Sequence, residues 1–479
     1  MRAGGAQAAV AFPSRRSVVR LALAVVALAT LALAPAGSDA RPKLHKCNIG
    51  ANKPVLCGHI MVPAVRSNPS VGRQKIGFVV RRRGDTSRPS KGAFVYVEGG
   101  PGYTSTSPDS FKPLAAVLAP FLKRHEMIAI SQRGTGLSSP LFCKGLQRGT
   151  VSYQRGLRQC AKQLGPRRAG YTTAESAADI EAVRQALGLP KRKMILYGDS
   201  YGTYLGQSYA ARYGKGMRGL ILSSAYPGND PFWRTLYPAA ERAVTRSCNR
   251  APNCSGNALG RLHRMLRRAG TSSKLSSNVL NYLMGDASSY APGGYDHLNR
   301  VVTEYLRGNG RELRELVHPY GPDQGPADYF SVGMYAAVVC NDYPVPWQRS
   351  APVAQRRKQL NRAIAAFRPS NWWSPLRKKT WAYDSASDIS ACLSWPARAK
   401  GYQPPIPKGG KMPGRLDTLV LAGEFDSITS VREARTVTAR FPRGRLYIVP
   451  SRGHASDLYF PFTSPATPRI RHFVRALNR

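Results

Sequence analysis

The chain has 479 residues, 42% of them hydrophobic and 20% charged, so it can bury a large core and does not have the composition of a disordered or low-complexity chain. Its charge is lopsided: 71 Lys and Arg against 26 Asp and Glu give a formal net charge of +45. The basic residues lie in short scattered clusters such as Arg81-Arg82-Arg83, with no zinc-finger spacing, basic zipper or RNA-binding aromatic signature; this argues against specific nucleic-acid recognition and leaves nonspecific adhesion to anionic envelope surfaces, or simply a solvated arginine-rich surface.

The amino terminus reads as a targeting segment. Arg15, Arg16 and Arg20 precede an apolar run over residues 21–34, and small residues follow at Ala34-Pro-Ala36 and Ser38-Asp-Ala40. These are the three parts of a secretory signal peptide, expected over residues 1–40. Ser14-Arg-Arg-Ser-Val-Val-Arg20 is also similar to a twin-arginine export signal. The run is short for a membrane span, which makes an uncleaved anchor the lesser alternative. In an exported chain the eight cysteines point to disulfides. Many connectivities are open; proximity favours Cys47–Cys57, Cys143–Cys160, Cys248–Cys254 and Cys340–Cys392. No C-x-x-C pair and no Cys/His cluster of zinc-ligand spacing occurs, so neither a metal nor a cofactor is expected.

Residues 47–63 read as a lead-in, followed by strands over 76–81 and 93–98. The second strand runs straight into Gly99-Gly100-Pro101-Gly102. A helix is expected over 111–122, a strand over 126–131, and then the loop Gln132-Arg-Gly-Thr-Gly-Leu-Ser138. Thr172-Thr-Ala-Glu175 has the spacing of a capping box and opens a helix through about residue 187. The apolar run 194–197 reads as a buried strand, residues 204–213 as a helix, and 219–223 as another buried strand. Strands alternating with helices imply a largely parallel sheet covered on both faces.

From residue 225 to 413 the alternation stops. This region is rich in proline, glycine and aromatics, holds all six tryptophans, and has helical patches near 236–244, 259–268, 298–316 and 353–367. Alternation resumes with a strand at 418–422, a helix near 430–440, a strand at 446–449 and a closing helix. One domain is thus interrupted by an inserted one.

The chain is organised around residues 193–204. The strand there ends in Gly198-Asp-Ser-Tyr-Gly202, the pattern G-x-S-x-G between a strand and a helix. A Cβ at either glycine would collide with the neighbouring strand or helix, and the turn lifts the Ser200 hydroxyl clear of the sheet at the positive end of a helix. A serine hydroxyl is a poor nucleophile until a base takes its proton. His454, in a glycine-containing loop after the last expected strand, supplies an imidazole at the same edge. Asp426, directly after the strand 418–422, is the acid that would hold its tautomer, with Glu424 as a local rival. Asp199 adjoins the serine and is expected to turn away from it. The oxyanion formed on attack needs preorganised donors, and the backbone N–H groups of Gly100 and Tyr201 are the candidates.

Glu98-Gly-Gly-Pro-Gly102, Gln132-Arg-Gly-Thr-Gly-Leu-Ser138, Gly198-Asp-Ser-Tyr-Gly-Thr203, Gly423-Glu-Phe-Asp426 and Gly453-His454, kept in order across nearly the whole mature chain, together resemble the prolyl-iminopeptidase and secreted tripeptidyl-aminopeptidase branch of the α/β-hydrolases. Cys392-Leu-Ser-Trp-Pro396 resembles a segment of the tripeptidyl type. The resemblance implies an α/β-hydrolase core over 41–224 and 414–479 with a large, mainly helical cap over 225–413. It implies Ser200, Asp426 and His454 as triad and Gly100 with Tyr201 as oxyanion hole. The sequence departs from that family's pattern at Glu98, often His or an apolar or amide residue there, and at Ser131, where Asp is usual before Gln-Arg-Gly.

The expected activity is that of a secreted serine aminopeptidase acting on peptides; a carboxylic-ester hydrolase on a small acyl substrate, or an inactive envelope-binding protein, are the alternatives. No stable protein partner is implied. An aminopeptidase must hold a free α-ammonium, and Glu304, Glu312, Glu315, Asp342 and Asp388 are acids of the insertion that could do so, though spacing selects none. The tryptophans and tyrosines of the insertion form either an apolar pocket or the cap's own core.

Overall fold

A computed structural model describes residues 41–49, 54–230, 234–318, 323–366, 375–377 and 390–479. The signal segment 1–40, Asp388 and the tryptophans at 233, 372, 373 and 381 lie outside the described residues. The strands, in chain order, are β1 (His45–Cys47), β2 (Val55–Pro63), β3 (Arg73–Arg81), β4 (Gly92–Val97), β5 (His125–Ile130), β6 (Met194–Asp199), β7 (Gly219–Ser223), β8 (Thr418–Gly423) and β9 (Gly444–Val449). They make one sheet in the order β1-β2-β3-β5-β4-β6-β7-β8-β9. The pairings from β1 through β3 to β5 are antiparallel, and β5, β4, β6, β7, β8 and β9 are mutually parallel.

Parallel strands covered on both faces must be apolar throughout rather than alternating. Every residue of β4, β6, β7 and β8 is buried, whereas β9, at the edge, is half-exposed along most of its length. Alternate residues serve opposite faces. Val95 and Val97 of β4 join Ile180, Val183, Leu205 and Tyr209 from the helices Thr173–Ala186 and Tyr201–Tyr213. Phe94 and Tyr96 join Phe111, Leu114, Ile470 and Val474 from the helices Pro108–Val117 and Ala466–Leu477. The lead-in expected at 47–63 is instead a part of the sheet, β1 paired to β2.

Between β7 and β8 the described chain is helical. Leu236–Arg250, Ala258–Ala269, Lys274–Leu283 and Gly293–Leu306 pack around their own apolar cluster, with Leu262, Met265, Val279 and Tyr295 at its centre. The helix expected over 298–316 is two, Gly293–Leu306 and Arg311–Leu316, separated by a turn in which Gly308 takes φ 108°. Val332–Asp342 and Val353–Ala366 follow. Trp347 and Trp395 are buried, the latter donating from its indole N–H to Asn341 Oδ1 at 2.9 Å, so these two serve as core. The cysteines pair as Cys47–Cys57, Cys143–Cys160, Cys248–Cys254 and Cys340–Cys392.

Candidate active site

Because β4 and β6 to β9 run parallel, their carboxyl ends, and the loops leaving them, gather at one edge of the sheet. Ser200 stands where β6 turns into the helix Tyr201–Tyr213, with φ 49° and ψ −122°, a conformation costly for a residue with a Cβ. The turn is as tight as the motif demands. A Cβ on Gly198 would fall 2.2 Å from the Gly202 carbonyl oxygen, and one on Gly202 would fall 2.2 Å from that of Val97. The elbow is tied to β7 by the Ser200 amide, which donates to the Ser223 carbonyl at 2.9 Å. Thr203 Oγ1 donates to the Ser200 carbonyl at 2.6 Å.

The Gly99-Gly100 turn after β4 lies against the serine: a Cβ on Gly99 would stand 2.7 Å from Ser200 Cβ and 3.2 Å from Oγ. Three contacts hold this turn. The Glu98 amide donates to Ser105 Oγ at 2.9 Å, Gln132 Nε2 donates to the Glu98 carbonyl at 2.7 Å, and the Ser331 amide donates to the Gly102 carbonyl at 3.0 Å. The loop 132–138 is therefore scaffold. Its Arg133 is buried and donates from Nε and Nη2 to Asp179 at 2.7 Å each, while Ser131 Oγ lies 2.9 Å from Thr104 Oγ1 and 2.8 Å from Thr106 Oγ1.

His454 and Asp426 meet directly. Nδ1 of His454 is 3.0 Å from Asp426 Oδ2 and 3.2 Å from Oδ1. An ionised carboxylate only accepts, so Nδ1 carries the proton and Nε2 is left basic. Asp426 is buried; its Oδ1 accepts the amides of Ile428 at 2.8 Å and Thr429 at 2.7 Å, and its Oδ2 accepts the Thr429 hydroxyl at 2.8 Å. Burial alone would raise its pKa, but the His454 imidazole and the Thr429 donors outweigh it and hold the carboxyl below the usual value. The rival Glu424 points elsewhere: it pairs with Arg250 at 2.7 Å and Arg246 at 2.8 Å and accepts the Ser451 amide.

The histidine loop reaches the elbow through β7. The Ala455 amide donates to Ser224 Oγ at 2.7 Å, next to the Ser223 whose carbonyl takes the Ser200 amide. Below this link Asp457 accepts from Ser223 Oγ at 2.5 Å and from the Tyr197 phenol. The insertion contributes as well, since the Ser288 carbonyl accepts the His454 amide at 3.2 Å and its hydroxyl accepts the Ser427 amide at 3.0 Å.

Tyr201, whose backbone N–H is the second oxyanion candidate, is a buried side chain anchored at its far end. Its phenol lies 2.9 Å from Thr173 Oγ1, which donates to Asp342 Oδ2 at 2.6 Å. Asp342 also accepts the Tyr402 phenol at 2.9 Å. Of the acids considered for amine binding, Asp342 is thus a buried structural acceptor. Glu304, Glu312 and Glu315 pair at the surface with Arg307, Arg300 and Arg311. Asp199 is buried and directs its carboxyl toward Glu98. Exposed tyrosines follow the site segments: Tyr103 meets Tyr329 edge to face at 5.7 Å between centroids, and Tyr290 meets Tyr459 in the same way at 5.6 Å.

Thr429, Ser288 and Asp457 escape sequence reasoning. Thr429 lies three residues beyond Asp426, a spacing that could have flagged it; nothing in the sequence ties Ser288 to the site.

The chain is similar to several known proteins. Residues 92–297 match the alpha/beta hydrolase fold family and residues 377–475 the family described as TAP-like protein. The chain is 31% identical to a tripeptidyl aminopeptidase of Streptomyces coelicolor over 38% of its own length, and the match spans only 37% of that relative. It is 23% identical to the serine protease Hip1 of Mycobacterium tuberculosis over 78% of this chain and 76% of that one. Among solved structures, a proline iminopeptidase of Mycobacterium smegmatis aligns with a TM-score of 0.42 at 14% identity, covering 88% of this chain and 98% of that one. The fold is that of the α/β-hydrolases.

Proposed function

We propose that this α/β-hydrolase is a serine aminopeptidase that releases short units from peptide amino termini through an acyl-enzyme on Ser200. His454 Nε2 takes the Ser200 proton as the hydroxyl attacks the scissile carbonyl, then returns it to the leaving amine. Asp426 keeps the proton of the imidazole on Nδ1 and stabilises the imidazolium. The N–H groups of Gly100 and Tyr201 receive the oxyanion. Water, activated by the same imidazole, then hydrolyses the acyl-enzyme. Catalysis needs no metal or cofactor in this scheme.

The observation that carries the reading is the buried Asp426–His454 contact of 3.0 Å, on loops next to an elbow serine held at φ 49°. The peptidase names of the sequence relatives support a peptide substrate over an ester. The exposed, edge-to-face tyrosine pairs beside the site offer ring faces for its side chains. The catalytic core is assigned to 41–224 and 414–479 and the cap to 225–413. Export by the segment 1–40 completes the proposal, supported by four disulfides that an oxidising compartment would preserve. The surplus of cations favours residence near anionic envelope polymers.

A panel of peptide anilides with free and acetylated amino termini tests the reading. Turnover of the free-amine members, abolished together with fluorophosphonate labelling in Ser200→Ala, is the expected result. Rapid hydrolysis of simple esters with the free-amine anilides untouched would replace it with an esterase.

A further inference from the structure

Beside the elbow lies a pair of acids that this mechanism does not use. Val97 of β4 is paired with Gly198 of β6, and Tyr96 with Tyr197. The parallel register therefore puts the next residues, Glu98 and Asp199, side by side just beyond the sheet. Asp199 is 3% exposed, its carboxyl is within hydrogen-bonding reach of Glu98, and its Oδ1 has no hydrogen-bond partner. Glu98 is half-buried; its Oε2 accepts the Tyr96 phenol and its Oε1 accepts the amide of Gly99 at 3.2 Å. Glu98 and Gly99 thus open the turn that lies against Ser200, while Asp199 is covalently next to Ser200.

A buried carboxylate in contact with a half-buried one resists ionising beside it without a cation between them. The strongest influences on the pair come from Tyr96 of β4, Tyr197 of β6 and Asp457 of the histidine segment, which itself faces His454, and, toward Glu98, from Tyr329 and Tyr459. None of the groups acting directly on Asp199 is a cation. We propose that Glu98 and Asp199 share one proton, and that this hydrogen-bonded acid pair is a positioning device clamping the Gly99-Gly100 turn onto the nucleophile elbow. Burial, followed by the neighbouring Glu98 charge, raises the affinity of Asp199 for that proton well above a free aspartate's.

The proton sits on one carboxyl and is donated to an oxygen of the other, leaving one negative charge over the pair. It is not transferred in the reaction. At neutral pH the clamp holds the Gly100 N–H where the oxyanion forms. Once the shared proton is lost at high pH, two adjacent anions repel, and the turn and the elbow separate. This inference rests on Gly100 being an oxyanion donor.

The test compares Asp199→Leu and Asp199→Asn with wild type by kcat and KM against pH, and by infrared difference spectroscopy of the carboxyl region. Asparagine can donate to Glu98 but cannot titrate. Expected is a ~10–100-fold loss of kcat in the leucine variant with KM within about threefold, a loss smaller than that of a whole oxyanion donor. The asparagine variant should restore most of that turnover and lack the alkaline fall of kcat seen in wild type. Tyr96 and Tyr197 are common to all three proteins, so their titration cannot produce the difference. In the infrared, one protonated carboxyl band present in wild type at neutral pH should vanish in Asp199→Asn. An alkaline limb identical in wild type and Asp199→Asn, or absence of that band, overturns the proposal. The spectroscopic arm needs no turnover, so failure of the peptidase reading would leave it intact and distinguishable.

Discussion

The hydroxyl of Thr429 donates to Asp426 Oδ2 at 2.8 Å and lies 3.2 Å from His454 Nδ1, so one small side chain touches both partners of the buried acid–imidazole pair. It supplies a donor to a carboxylate that cannot reach water. A hydrogen bond to a charged group contributes about 1.5–3 kcal/mol. Thr429→Val, nearly equal in shape, should therefore lower kcat/KM by roughly tenfold to a hundredfold. Fluorophosphonate labelling should slow in proportion while the fold is retained by circular dichroism.

Asp426 and Glu424 stand two residues apart and should differ sharply under the same change. Asp426→Asn replaces an acceptor-only group and favours the wrong imidazole tautomer, with an expected loss of about 10³–10⁴ in kcat. Glu424→Gln removes ion pairs to Arg246 and Arg250 whose guanidinium side is half in solvent, and should cost under about 1 kcal/mol of stability with turnover preserved. Steady-state kinetics and thermal unfolding of the two variants give the comparison.

Gly202→Ala would drive a methyl group to 2.2 Å from the Val97 carbonyl oxygen, a backbone atom that cannot swing aside. Either β4 or the elbow must move. Destabilisation by roughly 1–3 kcal/mol or more is expected, with loss of labelling at Ser200. A folded variant with wild-type labelling would show that the elbow tolerates more slack than this geometry allows.

Glu433 opens the helix Val431–Thr438 as the third residue of a complete capping box with Ser430, and it is buried. Burial pushes its carboxyl up to about 7, although the Ser430 amide and hydroxyl donate to it. A raised acid pKa means that the folded state binds the proton more tightly than the unfolded chain does. Its stability contribution is then full below about 4.5 and is lost as pH rises toward about 7. The difference amounts to ~3 kcal/mol at most. Glu433→Gln, which still accepts from Ser430, should remove that part of the pH dependence, read as a smaller fall in Tm between pH 5 and pH 8.

The middle of the sheet could be read from the sequence because parallel strands sealed on both faces must be apolar without interruption, as residues 194–197 and 219–223 are. The antiparallel edge could not. β2 carries Gly58 and His59 in mid-strand and is exposed at intervals, so it lacks both a continuous run and a clean alternation. The helix Val332–Asp342 was hidden for the opposite reason: it is buried on nearly all sides, which erases the amphipathic stripe that marks a surface helix. The capping box expected at Thr172 forms only by half. Thr172 caps the Glu175 amide at 3.2 Å, but the Glu175 carboxylate turns to Arg66 and Arg133 instead. At the site, Ser200, Asp426 and His454 are legible because each follows the end of a parallel strand. The hydroxyls that steady them are less so: Thr429 offers only its spacing of three from Asp426, and Ser288 belongs to no spacing rule and acts only once the chain has folded.

The line from Asp342 through Thr173 to the Tyr201 phenol joins the Val332–Asp342 segment to the residue whose amide adjoins the nucleophile. The helix and the nucleophile elbow therefore share a beam. A lineage that remodels this helix also jostles the floor on which Ser200 stands, so such changes should alter the rate of labelling at Ser200, and repair mutations should cluster around Thr173 rather than around the serine.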